Sequence, residues 1–166
     1  MWLEDFYDYK NRLMEDILTS EEIVSLVNDE VPLSESVSLA YTQVFPYEFV
    51  PETAQDGRTY ICFDVDIQSV DYKTYYNPVL YVWVFSHKSR LRLPDGGGVR
   101  TDKLCSEICK VVNGSRLYGL GEVDLYSVRR FAPMTDYQGK CITFRMKEFN
   151  RQHDGKKPIP SNRKND

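Results

Sequence analysis

The sequence predicts an α+β fold: a single domain in which a mostly antiparallel or mixed β-sheet is packed by an N-terminal helix or helix pair and one central helix. Three observations predict it. Apolar residues recur at helical spacing near the N-terminus and again after residue 100, and alternation typical of strands occurs between and after these segments. With 166 residues, 42% of them hydrophobic, the chain can bury one compact core over residues 1–150.

The N-terminal segment is predicted to be helical over residues 1–30, because its apolar residues recur near the 3.6-residue period. Thr19 or Ser20, followed by two glutamates, is typical of an N-cap with an acidic first turn, so we expect a second short helix. Pro32 ends the segment, since the residue before a proline is disfavoured in helical geometry.

Residues 36–150 are predicted to hold the sheet and the central helix. Alternation predicts a strand from Ser36, a second in "YICFDVDI" and a hairpin from "GEVDLYSVRRF" and "GKCITFRMKEF". The continuous run "VLYVWVFSH" predicts a strand that is covered on both faces. A helix over about 101–113 follows, with Thr101 or Asp102 as its cap.

Three segments are predicted to connect these elements. They are an arm at 46–58, a tyrosine-rich connector at 68–78 and a glycine-containing loop at 88–100. We also expect residues 151–166 to form a mobile basic tail, because they offer little apolar surface to bury.

Charge is separated along the chain. Residues 1–36 carry ten acidic side chains against Lys10 and Arg12, whereas residues 86–103 and 151–166 are each predominantly basic. Such asymmetry suits head-to-tail self-association, in which an acidic surface meets the basic surface of the next copy, and it also suits contact with nucleic acid.

The sequence gives no indication of a membrane span. No apolar run approaches the roughly 18 to 20 residues that cross a bilayer, and the N-terminus is acidic where a signal peptide is basic. We therefore expect a protein that is made in the cytosol. Cysteines at 62, 105, 109 and 141 lack zinc-site spacing, so reduced and mostly packed thiols are expected rather than a disulfide or metal site.

The three consecutive glycines at 96–98 raise the question of a phosphate-binding loop. A Walker loop requires GxxxxGK followed by Ser or Thr, and a dinucleotide fingerprint requires GxGxxG; "GGGVRT" matches neither. Arg100 and the amides of the following helix could still attract an anion. The pattern favours a structural loop between a strand and a helix.

Two functional alternatives remain open on the residues alone. A small metal-dependent hydrolase or nuclease would use Asp64, Asp66 and His87, and it requires these side chains to converge. A nucleic-acid-binding module requires one exposed basic stripe whose binding weakens steeply as salt rises. The stripe would consist of Lys88, Arg90, Arg92 and Arg100.

Tyrosine is abundant, with twelve residues, and tyrosine and arginine in loops are typical of protein contact surfaces. We therefore predict that the connecting segments contact protein partners. The candidate interface residues are Phe49, Arg58, Tyr72, Tyr75, Tyr76, Lys88, Arg90, Arg92 and Arg100.

The order of elements over most of residues 36–150 resembles the tail terminator, or tail completion, proteins at the neck of tailed bacteriophages and prophages. The segments that carry the resemblance are "RTDKL" at the start of the central helix, "LYGLGEVDL", and the terminal "DYQGKCITFRMKEFN". Other neck components, namely head-closure and connector proteins, are similar enough to remain alternatives.

The resemblance implies an α+β subunit without catalytic, cofactor-binding or metal-binding residues. Such subunits assemble as a ring, expected to be hexameric, on the end of the tail tube, stop its polymerisation and present a surface to the head connector. DNA would pass through the ring without sequence-specific binding. The resemblance places the protein in the virion neck, after assembly in the cytoplasm of a bacterial host.

Overall fold

A computed structural model describes residues 5–53, 57–71, 74–118 and 122–149. The described α-helices are Asp5–Thr19 (α1), Glu21–Val27 (α2) and Arg100–Val112 (α3). The described strands are Val44–Phe45 (β1), Thr59–Asp71 (β2), Tyr75–His87 (β3), Asp124–Met134 (β4), Tyr137–Arg145 (β5) and Glu148–Phe149 (β6). These elements confirm the predicted α+β class.

The strands form one mixed sheet in the order β1-β2-β3-β5-β4, with β6 paired to the start of β3. The short strand β1 runs parallel to β2, and every other described pair is antiparallel. β2 and β3 form one long hairpin, and β4 and β5 form the hairpin that the sequence predicts. The sheet therefore has β1 at one edge and β4 at the opposite edge.

One face of the sheet is covered by the helices. α1 and α2 pack on β2, whereas α3 packs on β3 and β5. The core between the layers is aliphatic at its centre, and burying such side chains is the main stabilising contribution to the fold. Its fully buried members include Leu13, Ile17, Ile23, Val27, Ile61, Phe63, Val82, Leu104, Ile108, Ile142 and Phe144.

The other face of the sheet carries a second, aromatic cluster. Tyr60 stacks on Phe85 with ring centroids 5.4 Å apart, and Phe45 stacks on Phe49 at 4.1 Å. Phe49 belongs to the segment after β1, so part of the predicted arm folds back over this face. The arm thus contributes to the fold as well as to the surface.

The strand predicted from Ser36 is wrong. Residues Leu33–Leu39 form a 3₁₀ helix, and only Val44–Phe45 pairs with the sheet. Ser36 and Leu39, three residues apart, are both buried, while Val37 is 74% exposed. This is the period of a 3₁₀ helix rather than the alternation of a strand.

The connector predicted at 68–78 is also wrong in large part. β2 continues to Asp71 and β3 begins at Tyr75, so most of the segment is paired. Pro78 lies inside β3, opposite Ile67, where the ladder register shifts by one residue. A bulge of this kind allows a proline within a strand, since the missing N–H falls at an irregularity.

The helix boundaries follow their predicted signals closely. Ser20 is the N-cap of α2, and its hydroxyl accepts a hydrogen bond from the Ile23 N–H. α3 begins at Arg100 with Val99 as N-cap and no side-chain cap, so the expected capping by Thr101 or Asp102 is wrong. The predicted tail at 151–166 lies outside the described residues. None of the described helices is long and apolar enough to cross a membrane.

Candidate functional site

The glycine loop closes on itself and leaves no phosphate cradle. Gly96 and Gly98 have φ angles of 73° and 99°, a left-handed conformation that favours glycine. The Leu93 N–H donates to the Gly98 carbonyl at 3.0 Å, and the Gly97 N–H donates to the Asp95 carboxylate at 2.9 Å. The Asp95 carboxylate therefore accepts the hydrogen bond of an amide that a bound anion would need.

Arg100 has a structural role inside the subunit. Its side chain is 5% exposed, its Nε donates to the Arg90 carbonyl at 2.9 Å, and its guanidinium also donates to the Leu26 carbonyl at 2.7 Å. Burial lowers the pKa of Arg100, with a smaller contribution from nearby Arg90 and an opposing one from Asp29. The residue ties the end of α2 to the loop after β3.

The four basic residues of the predicted stripe do not form one exposed surface. Lys88 pairs with Asp136, and Arg90 pairs with Asp29 at 2.6 Å. Arg100 is buried. Arg92 alone is both exposed and absent from the ion pairs of the described residues. The nucleic-acid alternative therefore loses the arrangement on which it depended.

The three residues of the enzyme alternative do not converge. Asp64 pairs with Lys10 at 2.5 Å, and Asp66 lies opposite Val79 of β3. His87 is eight residues beyond Val79 on the same strand, about 26 Å away at the usual rise of about 3.3 Å per residue. The His87 Nδ1 instead lies 2.7 Å from the Ser89 hydroxyl. Within the described ranges, no group of acidic, histidine and cysteine side chains could hold a metal ion.

Three of the four cysteines, Cys62, Cys105 and Cys109, lie in or beside the two clusters of the core. Cys62 and Cys105 are buried, and burial raises the pKa of each thiol to about 12. Cys109 and Cys141 are half-buried, and burial raises their pKa as well. Such thiols are packed and poorly nucleophilic near neutral pH.

The predicted tyrosine contacts are only partly at the surface. Tyr76 is buried within β3, and Tyr75 is half-buried with the Lys147 ammonium 4.9 Å from its ring centre. Tyr72 lies outside the described residues. Arg58 is exposed just before β2, whereas Phe49 is half-buried in the aromatic cluster. Tyr76, like Arg100, does not offer the exposed side chain that we expected.

β4 is an exposed edge strand, a position that its sequence pattern does not indicate. No residue of β4 is buried, and within the described residues it pairs only with β5. A register shift places Leu125 opposite Phe144 and Val128 opposite Ile142, so both point to the helical side of the sheet. They remain 43% and 46% exposed at this edge, beyond β3 and β5, the strands on which α3 packs. We call Leu125 and Val128 the β4 shelf.

An open notch of about 590 Å³ lies between the glycine loop, the start of α3 and the β4–β5 hairpin. Its walls combine apolar side chains with three basic ones and one acidic one, Asp102. The lining includes Leu91, Val99, Arg92, Arg130 and Lys140. Lys140 lies 3.6 Å from Asp102, whereas Arg92 and Arg130 join no ion pair among the described residues. This end of the molecule is therefore basic and partly apolar.

The region beside the β1 edge of the sheet is acidic and partly apolar. The 3₁₀ helix packs against α1 and α2 and leads through Ala40 into β1. Leu33 and Val37 are exposed on it, and Glu30 and Glu35 are exposed beside them. We call this region the 3₁₀ patch. Because the alternation from Ser36 predicts a strand, the sequence does not indicate this patch.

Residues 16–146 of the chain match the model of the YomW family, which is derived from bacteriophage. No curated protein matches the chain. Among solved structures, a chain from the "virion of native gene transfer agent (GTA) particle" is similar, with a TM-score of 0.55 and 15% identity. The alignment covers 84% of this chain and 93% of that one. At this identity, the similarity shows a shared fold.

Proposed function

Because the chain belongs to the phage-derived YomW family, we propose that it is a structural protein of the virion and acts at the neck as a tail terminator. The observation that carries the proposal is the fold shared with a chain of a gene transfer agent virion over nearly the whole of both chains. A match of this extent is to a complete subunit rather than to a common motif.

The surface of the molecule supports a role in assembly. The β4 shelf and the 3₁₀ patch lie at opposite edges of one sheet, and they combine exposed apolar side chains with opposite charge. A subunit with two different contact surfaces joins head to tail, and such contacts generate a ring when the rotation between copies closes. The proposed ring is hexameric, caps the tail tube and joins it to the head connector.

The remaining parts of the proposal concern partners and DNA. Arg58, Lys88 and Arg92 keep exposed side chains among the predicted contact residues, and they are candidates for contacts with the tube protein or the connector. The dispersed positions of the basic residues fit a ring through which DNA passes without sequence-specific binding. The virion neck is the corresponding location, and the chemistry of the role is non-enzymatic.

The test is to inactivate the gene in the phage or prophage that encodes it and to image the resulting particles by electron microscopy. A terminator predicts tail tubes of uncontrolled length beside filled heads that lack tails, with both defects reversed by the wild-type gene. Free tails of normal length beside heads that have lost DNA would instead indicate a head-closure protein. Normal particles would contradict any neck role.

A further inference from the structure

The β4 shelf is an incomplete part of the two-layer fold. Leu125 and Val128 point to the side of the sheet on which the helices lie, yet the helical layer of the subunit stops at α3 over β5. Apolar side chains on this side of a sheet are normally covered by a helix, since each element must bury its apolar face against another. Both side chains therefore keep exposed apolar surface beside the helical layer, where a further element could cover it.

The charge around the shelf defines what can cover it. Arg130 lies opposite Lys140, on the same side of β4 as the shelf, and it lines the notch together with Arg92. Neither arginine joins an ion pair within the described part of the chain. A covering element should therefore present a carboxylate beside an apolar side chain.

The 3₁₀ patch has this combination. Val37 is 74% exposed, Leu33 is also exposed, and Glu35, between them in the sequence, has no ion pair to any described residue. The 3₁₀ helix belongs to the helical layer, because it packs on α1 and α2. It therefore lies on the same side of the sheet as the β4 shelf, but at the other edge.

We propose that the 3₁₀ patch of one copy covers the β4 shelf of the next, with Val37 packed on Leu125 and Val128 and with Glu35 facing Arg130 and Arg92. The occupant of the shelf is thus a second copy of this chain. The inference rests on the proposed function in one respect, namely that the chain assembles with itself. The interface is heterologous, so a pair of copies leaves one shelf and one patch free for further subunits.

Charge reversal and its rescue test the pairing in the full-length chain. Sedimentation velocity and native mass spectrometry measure the oligomer of the wild type, Arg130→Glu, Glu35→Arg and the double variant. Each single reversal should raise the apparent dissociation constant by roughly tenfold or more, because it opposes like charges across the contact. The double variant should recover most of the wild-type assembly.

Arg129→Glu is the matched control. Arg129 is the neighbouring residue of the same strand and is exposed, but it lies opposite Cys141 on the aromatic face of the sheet. It should leave the oligomer unchanged. Val128→Ser tests the apolar part of the contact and should also weaken assembly. Circular dichroism and urea unfolding establish that each variant remains folded.

The outcomes separate this inference from the proposed function. Oligomers that are insensitive to Arg130→Glu and Glu35→Arg, or that are not rescued by the double variant, overturn the pairing and leave the neck role standing. A wild-type chain that stays monomeric at every concentration also overturns it. If the variants keep the wild-type oligomer but no longer bind purified tail tubes, the shelf contacts another virion protein and the pairing is wrong. If the double variant recovers assembly but the wild-type protein is absent from purified virions, the pairing is supported and the neck role is contradicted.

Discussion

Gly139 of β5 passes so close to Val84 of β3 that a β-carbon built on the glycine would lie 1.8 Å from the Val84 carbonyl oxygen. The contact lies at the register position where Gly139 is opposite Phe85 on one side and Phe131 on the other. The aromatic rings of Phe85 and Phe131, with centroids 5.7 Å apart, pack together over this part of the sheet. Only glycine allows this approach.

Gly139→Ala should therefore destabilise the fold by about 3 kcal/mol or more, because two central strands would have to separate to admit the methyl group. Urea unfolding followed by circular dichroism measures the change. Gly96→Ala is the control: Gly96 has a positive φ but open space around it, so only about 1 kcal/mol of backbone strain is expected. Equal losses for the two variants would contradict the close approach.

Arg100→Met should lower the free energy of unfolding by about 2–4 kcal/mol, since it leaves the Leu26 and Arg90 carbonyls without their donor. Arg100→Lys should also lower the free energy of unfolding, because a single ammonium cannot donate in the two directions in which the guanidinium N–H groups reach the two carbonyls. Arg92→Met, at an exposed site in the same loop, should change stability by less than about 0.5 kcal/mol. A stable Arg100→Met protein would show that the two hydrogen bonds contribute little.

Gln43→Leu should cost about 1–3 kcal/mol, because the buried Gln43 amide donates to the Val27 and Thr59 carbonyls and its oxygen accepts from Asn28. Gln43→Glu should be worse above neutral pH, where a carboxylate would face two carbonyl oxygens. Thermal unfolding of both variants at pH 8 measures the order. The prediction fails if the glutamate variant is the more stable.

Stability should fall as pH rises above about 9. The ordinary pKa of a thiol is 9.0, whereas burial raises the pKa of Cys62 and of Cys105 to about 12 in the folded chain. The unfolded chain therefore releases these protons at a lower pH than the folded chain does. The contribution of the two protonated thiols to the free energy of unfolding is fully present below pH 9 and is lost between pH 9 and about 12. Urea unfolding at a series of pH values measures the slope.

The double variant Cys62→Ala/Cys105→Ala is the control for this slope. It should be less stable at pH 8, because it leaves cavities, but its stability should vary less between pH 9 and 11. Part of the dependence should persist, since burial and the hydrogen bond to Asp16 raise the pKa of Tyr118. Adding Tyr118→Phe should reduce it further. An unchanged slope in all three backgrounds would exclude these groups as its source.

The elements predicted correctly from the sequence are those with a repeating apolar pattern. α1 and α3 bury one side of a helix, and β2 alternates between two faces, so the period alone reveals them. The segment at 36–49 misled because Val37, Leu39 and Tyr41 alternate as in a strand, whereas the chain buries Ser36 and Leu39 at the three-residue spacing of a 3₁₀ helix. The connector at 68–78 misled because Pro78 and its polar neighbours hide a bulged hairpin.

The surface was harder to predict than the core. Arg100 was expected to be a contact residue, but its acceptors at Arg90 and Leu26 lie 10 and 74 residues away in the chain. The β4 shelf depends on where α3 stops, and the local sequence of β4 carries no information about this. Charge separation, by contrast, was visible in the sequence, although its arrangement at opposite edges of a sheet was not.

The N-terminal helices are part of the core of their own subunit. The Tyr118 hydroxyl donates to the Asp16 carboxylate at 2.5 Å, the Arg12 guanidinium donates to the Leu117 carbonyl, and Leu13 is fully buried. Exchange of α1 between copies would require each subunit to open this layer and expose the interior of its sheet. Domain swapping is therefore a costly route to an oligomer, and in the proposed assembly copies of this chain would meet as finished bodies whose contacts are made by docking rather than by folding.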